Sequence, residues 1–203
     1  MATSLYLITN SKLTGKETQK DWDRIVHELT QLQMNTTSYI NAKNEIIKEY
    51  GNWSYELELE EEGIPIIVDF HGPFHIQPML YSNIGVIYTI YKYRFLYEVY
   101  GSDWFESFRS DLYRIVKIIG GTEVIYLADN GCDKLATYLE CMAWEDLPYE
   151  EIKQKMLQEF GQPVTDYSKL NYDTLTYRKI DEFFLDDFSD LKMKEKNSDR
   201  RGS

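Results

Sequence analysis

Three places in the chain gather side chains capable of chemistry. The first is Asp69-Phe-His71-Gly-Pro-Phe-His75, with two imidazoles and a carboxylate inside seven residues. Neutral imidazole and carboxylate together ligate zinc or iron. In an extended strand the three side chains share a face but spread over ~20 Å at ~3.3 Å per residue, so a chelate needs Gly72-Pro73 to bend the chain back. The plainer reading is two histidines at a strand end and turn, making ordinary hydrogen bonds. The second place is Asp129-Asn-Gly-Cys132-Asp133 at a strand-to-helix turn. A cysteine at a helix N-terminus has a lowered pKa and can act as a nucleophile. Neither a glycine-rich phosphate loop nor a G-x-S-x-G elbow accompanies it, and Asp129 or Asn130 serves equally as a helix cap. The third is Glu56, Glu58 and Glu60, at every second residue of one segment. Buried, they would raise one another's pKa and become acid–base candidates; exposed, they are a solvated strand face.

These side chains need elements to hold them. Ser4 to Thr9 reads as a short central strand, and Thr18 to Met34 as a helix capped by Thr18 or Asp21, with Ile25, Leu29 and Leu32 on one face. Thr36 to Tyr50 reads as a weaker helix. Trp53 to Glu60 alternates apolar and acidic residues, the period of a half-buried strand, and turns at Glu61-Glu62-Gly63 into a partner strand, Ile64 to Phe70. His71 to Pro78 is expected as a loop or an edge strand, because proline cannot donate to a ladder.

Tyr81 to Tyr100 matches helical spacing. Ser102 to Ile119 is the clearest helix, with Ser102 as its cap and Gly120-Gly121 as its left-handed stop. Thr122 to Ala128 reads as a buried strand, followed by a helix to about Trp144 and another from Pro148 to Phe160, ended by Gly161. Leu175 to Asp190 is a late-docking strand or helix. The expected architecture is α+β, a small, mostly antiparallel sheet of three to five strands with several helices packed on it. A single compact domain over residues 1–190 is expected, then a disordered polar tail over 191–203.

The formal net charge is −12, and its distribution bears most on function. From Glu123 to Asp190 there are 16 acidic against 6 basic side chains, with aromatic residues threaded among them. Such a field repels nucleic-acid phosphate and anionic membrane, and it attracts basic proteins. The longest uncharged run, Phe70 to Tyr91, contains two prolines and two histidines, so a membrane span is not expected. The tyrosines from Tyr88 to Tyr100 are spread around a helix and accompanied by few cations, so they read as packing residues, not a base-stacking platform. No basic leader followed by an apolar run is seen at the N-terminus, and two cysteines, Cys132 and Cys141, are too few for a disulfide framework. The cytoplasm is the expected compartment.

In general character this acidic, Tyr- and Trp-bearing composition resembles that of the immunity proteins that bacteria pair with cationic toxins. The resemblance implies a non-enzymatic inhibitor that docks a basic protein partner and uses no cofactor. The residues expected to carry docking are Glu58, Glu60, Glu61 and Glu62 from the hairpin, with Asp181, Phe184, Asp186 and Asp187. The alternative is a small metal-dependent or thiol hydrolase, with Asp69, His71 and His75 as ligands or Cys132 and Asp129 as catalytic residues. A third reading is a self-associating structural protein whose aromatic surface is buried in a homo-oligomer.

Overall fold

The computed structural model describes residues 4–13, 17–35, 39–40, 46–47, 52–59, 65–73, 76–88, 93–129, 145, 147–165, 170 and 183–199. In chain order the elements are β1 (Ser4–Asn10), α1 (Gln19–Thr30), β2 (Tyr39–Ile40), β3 (Ile46–Ile47), β4 (Ser54–Leu59), β5 (Pro65–His71) and β6 (Gln77–Leu80). They continue with β7 (Ile84–Tyr88), α2 (Tyr93–Ile118), β8 (Val124–Asp129), α3 (Tyr149–Phe160), β9 (Phe183–Asp186) and α4 (Ser189–Asp199). Seven strands form one antiparallel sheet in the order β4-β5-β6-β7-β1-β8-β9, and β2 pairs with β3 apart from it.

The pattern of β1 explains how the sheet is covered. A strand apolar at successive positions needs packing on both faces, and Leu5 and Leu7 enter one core while Ile8 enters another. Its neighbour β8 divides likewise, Val124 and Tyr126 to the first core, Ile125 and Leu127 to the second. Helices α1 and α2 fill the first through Trp22, Ile25, Leu29, Phe105, Phe108, Leu112 and Val116. Helix α3 fills the second through Tyr149, Ile152 and Met156. The result is a single α+β domain with helices on both sheet faces, and the sheet is larger than the three to five strands expected.

Several helix ends follow from local chemistry. At the start of α1 the Asp21 carboxylate accepts from the Thr18 N–H at 2.9 Å and from its hydroxyl at 2.7 Å. After α2, Gly120 adopts φ +82°, which an L side chain rarely tolerates, so the chain leaves the helix there. The N–H of Gly121 then reaches back to the Val116 carbonyl at 2.7 Å.

Other elements differ from expectation. The segment Ile84–Tyr88 is a strand, not the start of a helix: Ile84, Val86 and Ile87 are β-branched and all buried, and burial on both faces erases the polar alternation that marks a strand. Helix α2 begins at Tyr93 and passes through Ser102, which therefore lies inside it and does not cap it. Within 36–50, Tyr39–Ile40 and Ile46–Ile47 form a short antiparallel pair in place of a helix, as the paired β-branched residues favour. Strand β6 lies inside the sheet, not at its edge. Its ladder to β5 joins only Leu80 and Met79, to Val68 and Asp69, leaving Pro78 outside it.

The polar stretch after residue 191, expected to be disordered, is helical to Asp199. Ion pairs and a buried turn hold it, and composition reveals neither. The helix expected to end near Trp144 lies outside the described residues.

Candidate functional site

The far end of the sheet carries the polar cluster that the sequence singled out. On the face that α3 covers elsewhere, β4 and β5 place Glu56 directly opposite Asp69. The Asp69 Oδ2 accepts from Gln77 Nε2 at 2.7 Å and lies 3.7 Å from His71 Nε2. Asp69 Oδ1 and His71 Nε2 are both buried without a hydrogen-bond partner. Burial pushes the Asp69 carboxyl up, Glu56 adds to the rise, and Gln77 and His71 oppose it. Asp69 and His71 thus meet, whereas His75 lies outside the described residues. Among the described residues no group of three His, Cys, Asp or Glu side chains is arranged to hold a metal.

At the other candidate nucleophile, the backbone of Asp129 ends β8 opposite Ser4, and Cys132 lies outside the described residues. Glu58 pairs along its backbone with Ile67, and the register shifts just beyond it. Glu60, Glu61, Glu62 and Asp181 lie outside the described residues. A cleft of about 410 Å³ between the end of α1 and the start of β4 is lined by residues such as Met34, Asn52, Trp53 and Pro73, with no charged side chain among the described residues of its wall.

Asp186 requires a correction. Expected as a docking carboxylate, it is 4 % exposed, on β9 beneath α2. Arg109 grips it through Nε at 2.5 Å and Nη2 at 2.8 Å, and holds Asp190 of α4 at 2.6 and 3.1 Å. The Tyr126 hydroxyl donates to Asp186 at 3.2 Å and the Phe188 N–H at 2.9 Å. That last bond supports Phe188 at φ 55°, where it is fully buried, 5.2 Å from the Tyr113 ring and under the Arg109 guanidinium. Burial alone would lower the Arg109 pKa, but its bonds to Asp186 and Asp190 raise it above its ordinary value, so the guanidinium stays charged. Asp186 is therefore a keystone of the C-terminal turn. Phe184 also faces inward, half-buried against Tyr126 at 5.6 Å. Asp187 is exposed and accepts from the Ser189 N–H at 3.0 Å, which lowers its pKa and caps α4.

Charge clasps continue along α4. Glu195 accepts from Lys117 at 3.0 Å and from the Tyr113 hydroxyl at 2.9 Å. Burial, with Glu195 beside it, pushes the Tyr113 hydroxyl up to about 12. On the opposite sheet face Glu123 takes Lys153 at 2.7 Å and the Tyr149 hydroxyl at 2.8 Å, anchoring α3. Sequence reasoning missed Arg109 and Glu123. The signal for Arg109 was its position: a cation flanking the Phe105-Phe108-Leu112 stripe is seldom buried without a carboxylate partner.

The two strands nearest the acidic segments, β4 and β9, lie far apart. Strand β4 is one edge of the sheet and β9 the other, about 30 Å apart at ~4.8 Å per strand. No helix among the described residues is long and apolar enough to cross a membrane. Comparison of the chain with protein-family models, curated proteins and solved structures returns no match.

Proposed function

We propose that the protein is a non-enzymatic binder whose partner is a basic protein, docked on the β4–β5 side of the sheet. The observation that carries the reading is where the cations are held. Of the cations with described side chains, Arg24, Arg109, Arg114, Lys117, Lys153 and Lys155 each pair with a carboxylate of their own chain and Lys192 is bound to two backbone carbonyls, which leaves only Lys12, Lys20 and Lys194 exposed outside such pairs. The surplus of carboxylates, including exposed Asp23, Glu56, Asp103 and Glu150, thus sets the outward field. On the β4–β5 side Glu56 stands beside Asp69, and the chain continues through Glu58, Glu60, Glu61 and Glu62. Such a field steers a cationic partner to its site, and close contacts then slow its release. This is the behaviour implied by the compositional resemblance to immunity proteins.

The test is affinity capture from native extract at low salt, with mass spectrometry of the retained proteins. Stoichiometric recovery of one protein of high isoelectric point supports the reading. Recovery of only acidic proteins, or of none, contradicts it.

A second reading, metal-dependent chemistry at Asp69 and His71, is favoured by their two unpartnered buried atoms. It requires a stoichiometric transition metal in protein purified without chelator, lost in His71→Ala.

A further inference from the structure

We propose that the open edge of β4 is completed by an extended segment of the basic partner, one that alternates basic with apolar residues and adds an eighth strand to the sheet. The inference rests on the reading of the protein as a binder of basic proteins, and names how the partner engages.

The two sheet edges are treated differently by the fold. Outside β9, Val164 bridges to Phe184 and its N–H donates to the Phe183 carbonyl at 2.8 Å, so that short edge is already occupied. Among the described strands β4 pairs with β5 alone, and no described residue makes a backbone hydrogen bond to its outer side. Its six residues run for about 20 Å at ~3.4 Å each, and every second one turns its N–H and C=O outward. Such an edge is a template for another strand.

The side chains select what fits. On one face Ser54 and Glu56 are exposed, with Asp69 across from Glu56; on the other, Tyr55 and Leu57 are half-buried against the first core. An added strand therefore meets carboxylate on one face and apolar surface on the other. A second copy of this chain is a poor match. Paired antiparallel over all six residues of β4, it sets Glu56 opposite Leu57, so the carboxylate face of one copy continues into the apolar face of the other. Slipped by one residue to bring like faces together, it sets Glu56 opposite Glu56 or Glu58, and like charges directly opposite destabilise a sheet. A strand with Lys or Arg at alternate positions replaces that repulsion with attraction and extends the Tyr55–Leu57 surface.

The probe is a short peptide alternating lysine with valine and threonine, mixed with the full chain at low salt and followed by amide hydrogen exchange. The expected result is exchange slowed about tenfold at residues 54–59, with protection lost in Glu56→Lys, whose exposed site leaves the fold intact. Two control peptides isolate the cause. One keeps the lysines but carries proline for valine, and it should not protect, because its prolines lack an N–H and interrupt a regular ladder. The other carries glutamate for lysine, and equal protection by it overturns the charge requirement. If the lysine peptide leaves β4 unprotected while native extract still yields a captured basic protein, the edge proposal fails and the binder reading stands. If neither peptide nor extract shows basic binding, both fail.

Discussion

Replacing Asp186 with alanine removes the carboxylate that Arg109, Tyr126 and the Phe188 N–H all share. Breaking one side of a buried ion pair costs roughly 3–5 kcal/mol, because the remaining charge stays buried and unpaired. Here Asp190 still meets the guanidinium, but its side chain is 44 % exposed and screened by water, so it compensates only in part. The Phe188 N–H, itself in a buried turn, also loses its acceptor, at a further cost of about 1 kcal/mol. The expected loss is about 3–4 kcal/mol, or a melting temperature lower by about 6–16 °C for a domain of this size. Urea denaturation followed by tryptophan fluorescence measures it. In the cycle with Arg109→Met, the double variant should be more stable than the sum of the single losses requires, since the one charge it leaves without its partner, Asp190, is open to water. A change in Asp186→Ala within about 0.5 kcal/mol of wild type, typical of a surface site, would refute the keystone role and return Asp186 to the surface.

Three other outcomes follow from named groups. Arg109 holds the Asp190 carboxyl below its ordinary value; at Glu195 burial works upward, but Lys117 and Tyr113 outweigh it and bring that carboxyl down too. Their contribution is therefore complete above the ordinary carboxylate range and lost as pH falls through the lowered folded values, so the amides of α4 should lose hydrogen-exchange protection in that acid window before those of β1. Asp69 has the opposite sign. Its raised folded value penalises the charged form at neutral pH, so Asp69→Asn should raise the urea midpoint at pH 7, and the gain should vanish once wild-type Asp69 is protonated. Gly120→Ala forces a side chain into φ +82° and should cost more than about 1 kcal/mol by the same denaturation assay.

The sequence exposed what local chemistry determines and concealed what distant partners determine. The β4–β5 hairpin was legible because one of its faces is wet, so the alternation survives in Tyr55, Glu56 and Leu57. The capped start of α1 and the stop at Gly120 were legible for the same reason, since each is made by neighbours in the chain. Strand β7 was not, because burial on both faces removes the period that separates strand from helix. The helicity of residues 192–199 was hidden too, as it depends on Lys117 and Tyr113, more than seventy residues away in the chain. The same limit explains the error at Asp186. An acidic run states its charge but not which of its members meets an arginine from another element. Of the candidate site, the meeting of Asp69 and His71 was readable from their spacing, but Gln77 and Glu56 join them only through strand register.

The most direct test of the docking surface is to reverse the charge of the β4 segment and of the acidic residues that follow it in the chain. Glu56→Lys, Glu60→Lys and Glu62→Lys would be combined in the full chain and compared with wild type in the same low-salt capture. Retention of the basic partner should fall at least about tenfold, equivalent to ~1.4 kcal/mol, while the urea midpoint is not lowered. Retention equal to wild type, with folding intact, would show that the β4–β5 carboxylates do not recruit the partner.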